Sequence, residues 1–521
     1  MKRLFAILSM LLVLTGTLAW ASATSEQPAA AGAGRDIVEL DYMYRYSRDL
    51  IPPPDNLWVQ QMLERFDLDI TFEMVPSGEY ISIMELRLAA GDEPDILFPW
   101  PKATTDQWGL QGYLLPMQDL LDEMPNIRAR FDDAGWEYVM KAAPAPDGNI
   151  YSYPNANSIY LANGWGYRDQ VFDALGISFP SNTDELYEAA KRIKAEFPDS
   201  WPIQGWAKTR GYRSLTGGYQ LAWRTWDDWY IDPDTNAVTY GPQTDKYREM
   251  MKYLHKLYAE DLVFPEVDQK DFTKWSELLA ESRHHIMYFN VGRIGHVNSV
   301  VDPDDPTAQF TIVHDGVVTA PGLDPIVARS SPWSEGGSIA ASATDKQVER
   351  WLEYTNFLSS PDGGIFMYYG VEGETFEWGT DESGNRVPIL LDHMATTANP
   401  QGQSMYELGF VKGLYYPGDY ALAATGQGDT MPTQRALSVH PFLRNSSHII
   451  WKLSEDESDM LADLEVVVTD VRDEYGSKFL SGTLDPNDDG DWSDYLAALE
   501  RAGLEQVRAI RDISNADFVP Y

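Results

Sequence analysis

Residues able to do chemistry are plentiful in this chain, yet few sit at the spacings that chemistry requires. Asp485-Pro486-Asn487-Asp488-Asp489-Gly490 places oxygen side chains at the first, third and fifth positions before a turn glycine, as a calcium loop does. The twelfth position of such a loop needs a bidentate glutamate and holds Leu496. The stretch therefore reads first as an acidic turn beside the helix that follows Trp492, with a calcium ion as the alternative. His284 and His285 are adjacent, so on a strand they point to opposite faces and form no shared metal face. Nucleophile-elbow, phosphate-loop and dinucleotide fingerprints are absent. With 80 Asp and Glu, a carboxylate pair fit for glycoside hydrolysis is not excluded, but no spacing singles one out. Trp223, Trp226 and Trp229 alternate with Arg224, Asp227 and Asp228, a cluster too polar for pure core. Trp226 is its best candidate for facing a cleft.

The elements that must position such residues can be read from periodicity. Ile37 to Tyr44 and Asp69 to Val75 alternate as half-buried strands do, and Pro94 to Phe98 reads as a short buried one. Between them, Asn56 to Phe66 and Tyr80 to Ala90 are helical, the first capped by Asp55 or Asn56 and the second stopped by Gly91. Strands and helices alternating through short joints predict a parallel sheet with helices on its faces. A second α/β unit opens with strand Ile159 to Gly166, then helices Asp169 to Leu175 and Thr183 to Phe197. A hairpin over Ile231 to Tyr240 and a helix over Thr244 to Glu260 follow. Gly337 to Ala343 returns to strand character, Lys346 to Leu358 is helical, and the last seventy residues are mostly helix (Ser458 to Gly476, Trp492 to Ala502).

A chain of 521 residues exceeds one ordinary core and suits two large lobes. Its formal net charge of −40 repels phosphate backbones and anionic lipid, which excludes nucleic acid and membrane surfaces as expected partners. Lys2 and Arg3 precede an apolar run from Leu4 to Leu14, too short to span a bilayer but long enough for a secretory signal, with cleavage expected after Ala23. There is no cysteine, hence no disulfide, thiolate metal site, cysteine nucleophile or acylated anchor.

Several short motifs, in order, resemble the family 1 extracellular solute-binding proteins, the group containing maltose-binding protein. They are Leu88 to Ile96 (Gly91, Pro94, Asp95), Gly112 to Leu120 with Met124-Pro125-Asn126, and Gly148-Asn149-Ile150-Tyr151-Ser152-Tyr153-Pro154. Tyr167-Arg168-Asp169 through Leu175-Gly176, Pro180 and Thr183-Asp184-Glu185-Leu186 continues the pattern, as do Gly336 to Ala340 and Ser359 to Gly364. The C-terminal pattern Phe479 to Gly482, Asp491-Trp492, Tyr495 and Gly503-Leu504 is similar to larger members associated with complex oligosaccharides. Many of those are lipoproteins, and here this chain departs from them.

The resemblance implies an α/β, two-lobed, type II-like periplasmic-binding-protein fold with three hinge crossovers and a helical C-terminal region. The divisions expected are a signal peptide (1–23), a flexible leader (24–35), lobe 1 (36–157 and 333–395) and lobe 2 (158–332 and 396–521). The third crossing is expected near Ala395 to Gln403. The function implied is capture of a sugar or oligosaccharide for the permease subunits of an ABC importer, by a periplasmic monomer with no membrane anchor, cofactor, metal or catalysis. A periplasmic glycoside-acting enzyme, or the same fold holding a peptide or other polar solute, is the alternative. Sugars offer one C–H face for aromatic stacking and a rim of hydroxyls for polar side chains. On that basis the expected ligand-binding residues are Trp100, Tyr167, Trp226, Asn290, Arg293, Trp333, Glu335 and Tyr46. Hinge or core packing is the competing role for each.

Overall fold

The computed structural model describes residues 36–46, 51–99 except 77, 101–156, 163–204, 228–264 except 233–236, and 272–302 except 291–293. It also describes 305–323 except 314–317, 333–380, 386–394, 403–410 and 453–512, with short pieces at 215, 219, 327–328, 443–444, 448–451 and 516–519. The first unit follows the sequence closely. Strand β1 (Val38–Tyr46), helix α1 (Leu57–Phe66), strand β2 (Leu68–Pro76), helix α2 (Tyr80–Ala90) and strand β3 (Ile96–Leu97) succeed one another. The Asn56 side chain accepts the Val59 N–H at 3.1 Å, closing one of the orphan donors at the start of α1. Gly91, at φ 66°, takes the left-handed turn that ends α2, a conformation that costs glycine nothing sterically. β1 pairs in parallel with β2 along its whole length and with β3 at Tyr42 and Ile96. Helices α3 (Lys102–Leu110) and α4 (Asp133–Ala142) complete this part, neither foreseen from periodicity.

From β4 (Pro154–Ala156) the chain passes to β5 (Asn163–Tyr167), α5 (Asp169–Leu175) and α6 (Thr183–Glu196). The expected hairpin is present as β6 (Trp229–Ile231) and β7 (Val238–Tyr240), antiparallel in register, and α7 (Asp245–Ala259) follows. β8 (Ile286–Asn290) and β9 (Thr311–Ile312) flank β5 on either side, both antiparallel to it. The main described sheet of the second unit thus contrasts with the parallel β1–β2–β3 arrangement of the first.

The return begins with β10 (Trp333–Glu335), antiparallel to β4, and β11 (Ser338–Ile339), antiparallel to β3. Of Gly337 to Ala343, expected as a strand, only Ser338 to Ala340 pair. Helices α8 (Asp345–Leu358) and α9 (Pro361–Tyr369) come next, and a hairpin spans Phe376–Thr380 and Arg386–Leu390. A capping box of Ser454 and Glu457 opens the long helix α10 (Glu455–Ser481), followed by α11 (Asp489–Arg501) and α12 (Leu504–Ile510).

Two large cores result. The first joins β1, β2 and α1 to Ile150, Tyr153, Ile339, Trp351, Phe366 and Phe410. The second joins Trp165, Phe172, Ile193, Met250 and Ile286 to Val468, Phe479, Trp492, Tyr495 and Leu504 from the C-terminal helices. Each fully buried large apolar side chain contributes about 1.5–3 kcal/mol, so the C-terminal helices belong energetically to the second core. The chain is back in the first core after the expected third crossing. Met394 bridges Gln403, Trp58 N donates to Leu408 O at 3.0 Å, and Phe410 packs on Phe366. Residues 403–410, expected in lobe 2, therefore pack on the first core, and the next described residue packed against the second core is Leu453. The expectation failed because Pro400 and Gly402 mark a break in periodicity, and such a break serves a loop as well as a crossing.

Candidate functional site

The two strands that carry the chain out of and back to the first core lie side by side. Trp333, Ser334 and Glu335 pair with Ala156, Asn155 and Pro154. The approach is fixed further by Gly336 N donating to Tyr153 O at 2.9 Å and Tyr153 N to Gly337 O at 3.1 Å. A Cβ on Gly336 would stand 2.2 Å from the Tyr153 ring and 2.6 Å from its carbonyl oxygen, so only glycine lets these backbones meet.

Beside this pair, at the carboxyl ends of β1 and β3, lies a cavity of about 130 Å³. Such strand ends are where open α/β sheets take their ligands. Tyr42, Trp58, Tyr153, Trp351 and Tyr354 are buried in its walls, and Trp58 Nε1 donates to the Tyr354 hydroxyl at 2.7 Å. The rings hold one another: Tyr42 lies 5.4 Å from Trp351 and 5.6 Å from Trp58, and Tyr44 meets Phe98 edge-on at 5.5 Å. Polar side chains at the wall are Arg45, Asn155, Ser334 and Glu335.

Glu335 is the electrostatic centre of this arrangement. Its Oε1 is buried without a hydrogen-bond partner. Burial pushes its carboxyl up to about 7, against the opposing pull of Thr105 and of the Lys102 charge. Lys102 is itself held to Asp106, at 2.5 and 2.7 Å, and lies 3.3 Å from Pro144 O. Desolvation also raises the phenols of Tyr44 and Tyr153, so both remain neutral donors. The wall can therefore stack a ring face and both give and accept hydrogen bonds at its edge.

Of the residues expected from sequence, Glu335 lines this cavity. Trp333 is buried in the first core, on the strand pairing with Ala156, so it packs rather than lines. Tyr167 packs against Phe172 at 4.9 Å and Phe179 at 5.0 Å beside the second core, away from the cavity, because its strand turns that face inward. Tyr46 ends β1 and Asn290 ends β8, but their side chains, with Trp100, Trp226 and Arg293, lie outside the described residues. Sequence reasoning missed Tyr42, Tyr44, Phe98, Asn155 and Trp351. Tyr42 and Tyr44 carried a signal, being aromatics at strand period on one face just short of the strand's carboxyl end.

The acidic run near the C-terminus spends its oxygens locally. Asp485 Oδ1 accepts from Asn487 N and Nδ2, both at 2.9 Å, and Asp488 caps α11 through Gly490 N and Asp491 N. Asp489 pairs with Arg248 at 2.8 Å. Among the described residues no group of three or more His, Asp or Glu is placed to hold a metal ion. The two histidines are core residues: His284 Nδ1 meets Trp201 O at 3.0 Å, and the His285 ring lies 4.7 Å from Phe197.

Residues 53–277 match the model of the bacterial extracellular solute-binding protein family. The chain is 22% identical over 495 residues to the fructooligosaccharide ABC transporter substrate-binding protein FusA of Streptococcus pneumoniae serotype 4, covering 88% of this chain and 86% of that one. It is 22% identical over 411 residues to the polygalacturonan/rhamnogalacturonan-binding protein YtcQ of Bacillus subtilis, covering 76% and 78%. The fold is shared with the alginate-binding protein AlgQ2 solved without calcium ion, at a TM-score of 0.73 and 19% identity over 94% of this chain and 99% of that one. This is the two-lobed architecture expected from the motifs. Over residues 53–277 the chain is thus similar to the bacterial extracellular solute-binding proteins, and its fold is theirs.

Proposed function

We propose that this protein is the substrate-binding component of an ABC importer and captures a sugar or oligosaccharide in an aromatic-lined interlobe cleft. The observation that supports the reading is the cavity at the strand ends of the first lobe, beside the crossing strands, where rings form the walls and Glu335, Asn155 and Ser334 supply polar side chains on the part of a cleft that this lobe would contribute. Relatives named for fructooligosaccharide and for polygalacturonan support carbohydrate over peptide. In this reading lobe 1 is 36–157 with 333–410, and lobe 2 is 158–332 with the C-terminal helices, a division supported by the membership of the two cores. Hydrolysis of a glycosidic bond takes two carboxyl groups across it. Among the described lining residues Glu335 is the sole acid, which favours a binder that returns its ligand unchanged.

The protein acts beyond the cytoplasmic membrane, delivering ligand to permease subunits as a periplasmic monomer. Among the described residues no helix is long and apolar enough to cross a membrane, and the sequence has no cysteine to acylate. A thermal-shift screen of the mature chain against a carbohydrate panel tests the function. A ligand at a hundred times its Kd adds about 2.7 kcal/mol of stability, and small-angle scattering with that ligand should show a smaller radius of gyration at unchanged mass. No stabilisation by any saccharide, or cleavage of a labelled oligosaccharide overnight, would sink the reading.

A further inference from the structure

The aromatic rings that border the cavity are not equivalent, and burial sorts them. Tyr42, Tyr44, Trp58, Tyr153, Trp351 and Tyr354 are buried, whereas Phe98 keeps part of its surface accessible. A ring with almost no accessible surface can only brace its neighbours; one that reaches open space can meet a ligand. Arg45, the sole cation among the described lining residues, is likewise half-buried.

Phe98 follows β3 directly, at the carboxyl end of that strand, and precedes Pro99. A proline restricts the residue before it to extended backbone, so the direction in which this side chain leaves the strand is set locally. Phe98 N donates to the buried Tyr80 hydroxyl at 2.8 Å. Tyr42 and Tyr44 meet the Phe98 ring edge-on, with centroids 5.8 and 5.5 Å away. The tip of the ring abuts the returning strand: a Cβ on Gly337 would stand 3.0 Å from Phe98 Cζ. A ring held in this way gives up little rotamer freedom when a ligand arrives. Arg45 stands one residue beyond Tyr44 on β1, and its charge acts on the hydroxyls of Tyr44 and Tyr80. The cation and the accessible ring therefore converge on one part of the wall, with the Tyr80 hydroxyl between them.

We propose that Phe98 is the platform on which one sugar unit stacks, and that Arg45 donates to the rim oxygens of that unit. The assignment rests on the carbohydrate reading above and names the side chains that recognise the ligand within it. A sugar ring fits both groups. Its C–H face covers the accessible ring, and its oxygens accept from a guanidinium that has five N–H donors and no acceptor. The buried rings brace Phe98 and stay out of contact with the ligand. Hydroxyls and carboxylates both supply rim oxygens, and the choice of probes separates them.

Isothermal calorimetry and saturation-transfer NMR on the mature full-length chain test this. The probes are maltotriose and an inulin-type fructan trimer, both neutral, and trigalacturonate, which is acidic. In a deuterated chain carrying protonated phenylalanine, irradiating the ring protons should reach the C–H protons on one face of the bound sugar. The transfer should vanish in Phe98→Leu, which keeps an apolar side chain beside Gly337. The same substitution should weaken the best-binding probe by at least about tenfold. Arg45→Gln should weaken a neutral trimer about tenfold and trigalacturonate about a hundredfold, since a carboxylate takes two of the guanidinium N–H groups. The wild-type experiment stands whether or not either variant folds. No transfer from phenylalanine to a bound sugar would overturn the proposal, as would affinities within about threefold of wild type in both variants, and either result leaves the carbohydrate reading in place. Binding of none of the probes at millimolar concentration would overturn both.

Discussion

In the first core, packing stops short beside the crossing strands and leaves about 130 Å³ walled by aromatic rings, with Glu335, Asn155 and Trp351 each holding an unmet polar atom. In the second core, Phe479 and Tyr495 are fully enclosed, and the Tyr495 hydroxyl is met by Pro242 O at 3.1 Å. Both regions also bury a titratable group, and burial moves the two in opposite directions. Glu335 rises to about 7, whereas His284 falls to about 4 and His285 to about 3. The same desolvation penalises whichever form is charged, so an acid is held protonated and a base deprotonated. The difference lies in what surrounds each group. The histidines are closed in by Phe197, Phe264 and Trp201, while Glu335 borders open space that a ligand can fill.

The contrast breaks most sharply by truncation. Phe479→Ala should cost about 3–5 kcal/mol, because a close-packed site relaxes only partly around the void. Trp351→Phe should cost well under half as much, since it removes an N–H that has no protein partner and borders space already empty. Urea unfolding of both variants measures this, and equal losses would mean that the first core is as tightly packed as the second.

Acid titration comes next in size. An unfolded histidine protonates near 6.5, and the buried pair resists until about 4 and 3, so the unfolded state binds more protons in that window. Stability should therefore be fully present above pH 6.5 and fall as pH drops toward 3, by on the order of 3 kcal/mol for each group. His285→Phe should flatten the decline. An unchanged slope would place the titration elsewhere.

The smallest effect expected is at Glu335, with the opposite sign. Its folded-state value lies above the unfolded one near 4.5, so the folded state binds more protons between about 4.5 and 7. Glu335→Gln should match wild type at pH 4.5, then gain stability as pH rises, levelling above pH 7 at on the order of 3 kcal/mol, less than the two histidines together. Thermal unfolding across that range checks it. A variant less stable than wild type at pH 8 would mean that the carboxylate makes contacts that outweigh its burial.

How much of this was legible beforehand differs from residue to residue. Local physics fixed the elements: Asn56 and Gly91 bound α1 and α2, Thr344 and Gln347 form a capping box before α8, and strand alternation in β2 matches its alternating burial. Backbone hydrogen bonding and side-chain period act over a few residues, so a sequence displays them directly. The glycines at 336 and 337 lie where the backbone meets Tyr153, and Glu335 precedes them on the strand that pairs with β4. What the sequence could not decide was which of its many aromatics face empty space. Tyr167 and Trp351 look alike on the page, each an aromatic on an amphipathic element, yet one packs beside the second core and the other walls the cavity. That choice depends on partners hundreds of residues away, as when Trp58 meets Tyr354 and Asn155 meets Ser334. The third crossing failed for the same reason: a loop and a crossing share one local signature, and only contact with Phe366 shows on which core Phe410 rests. Burial, and with it the charge state of Glu335, is a property of the assembled packing, and no stretch of sequence holds it alone.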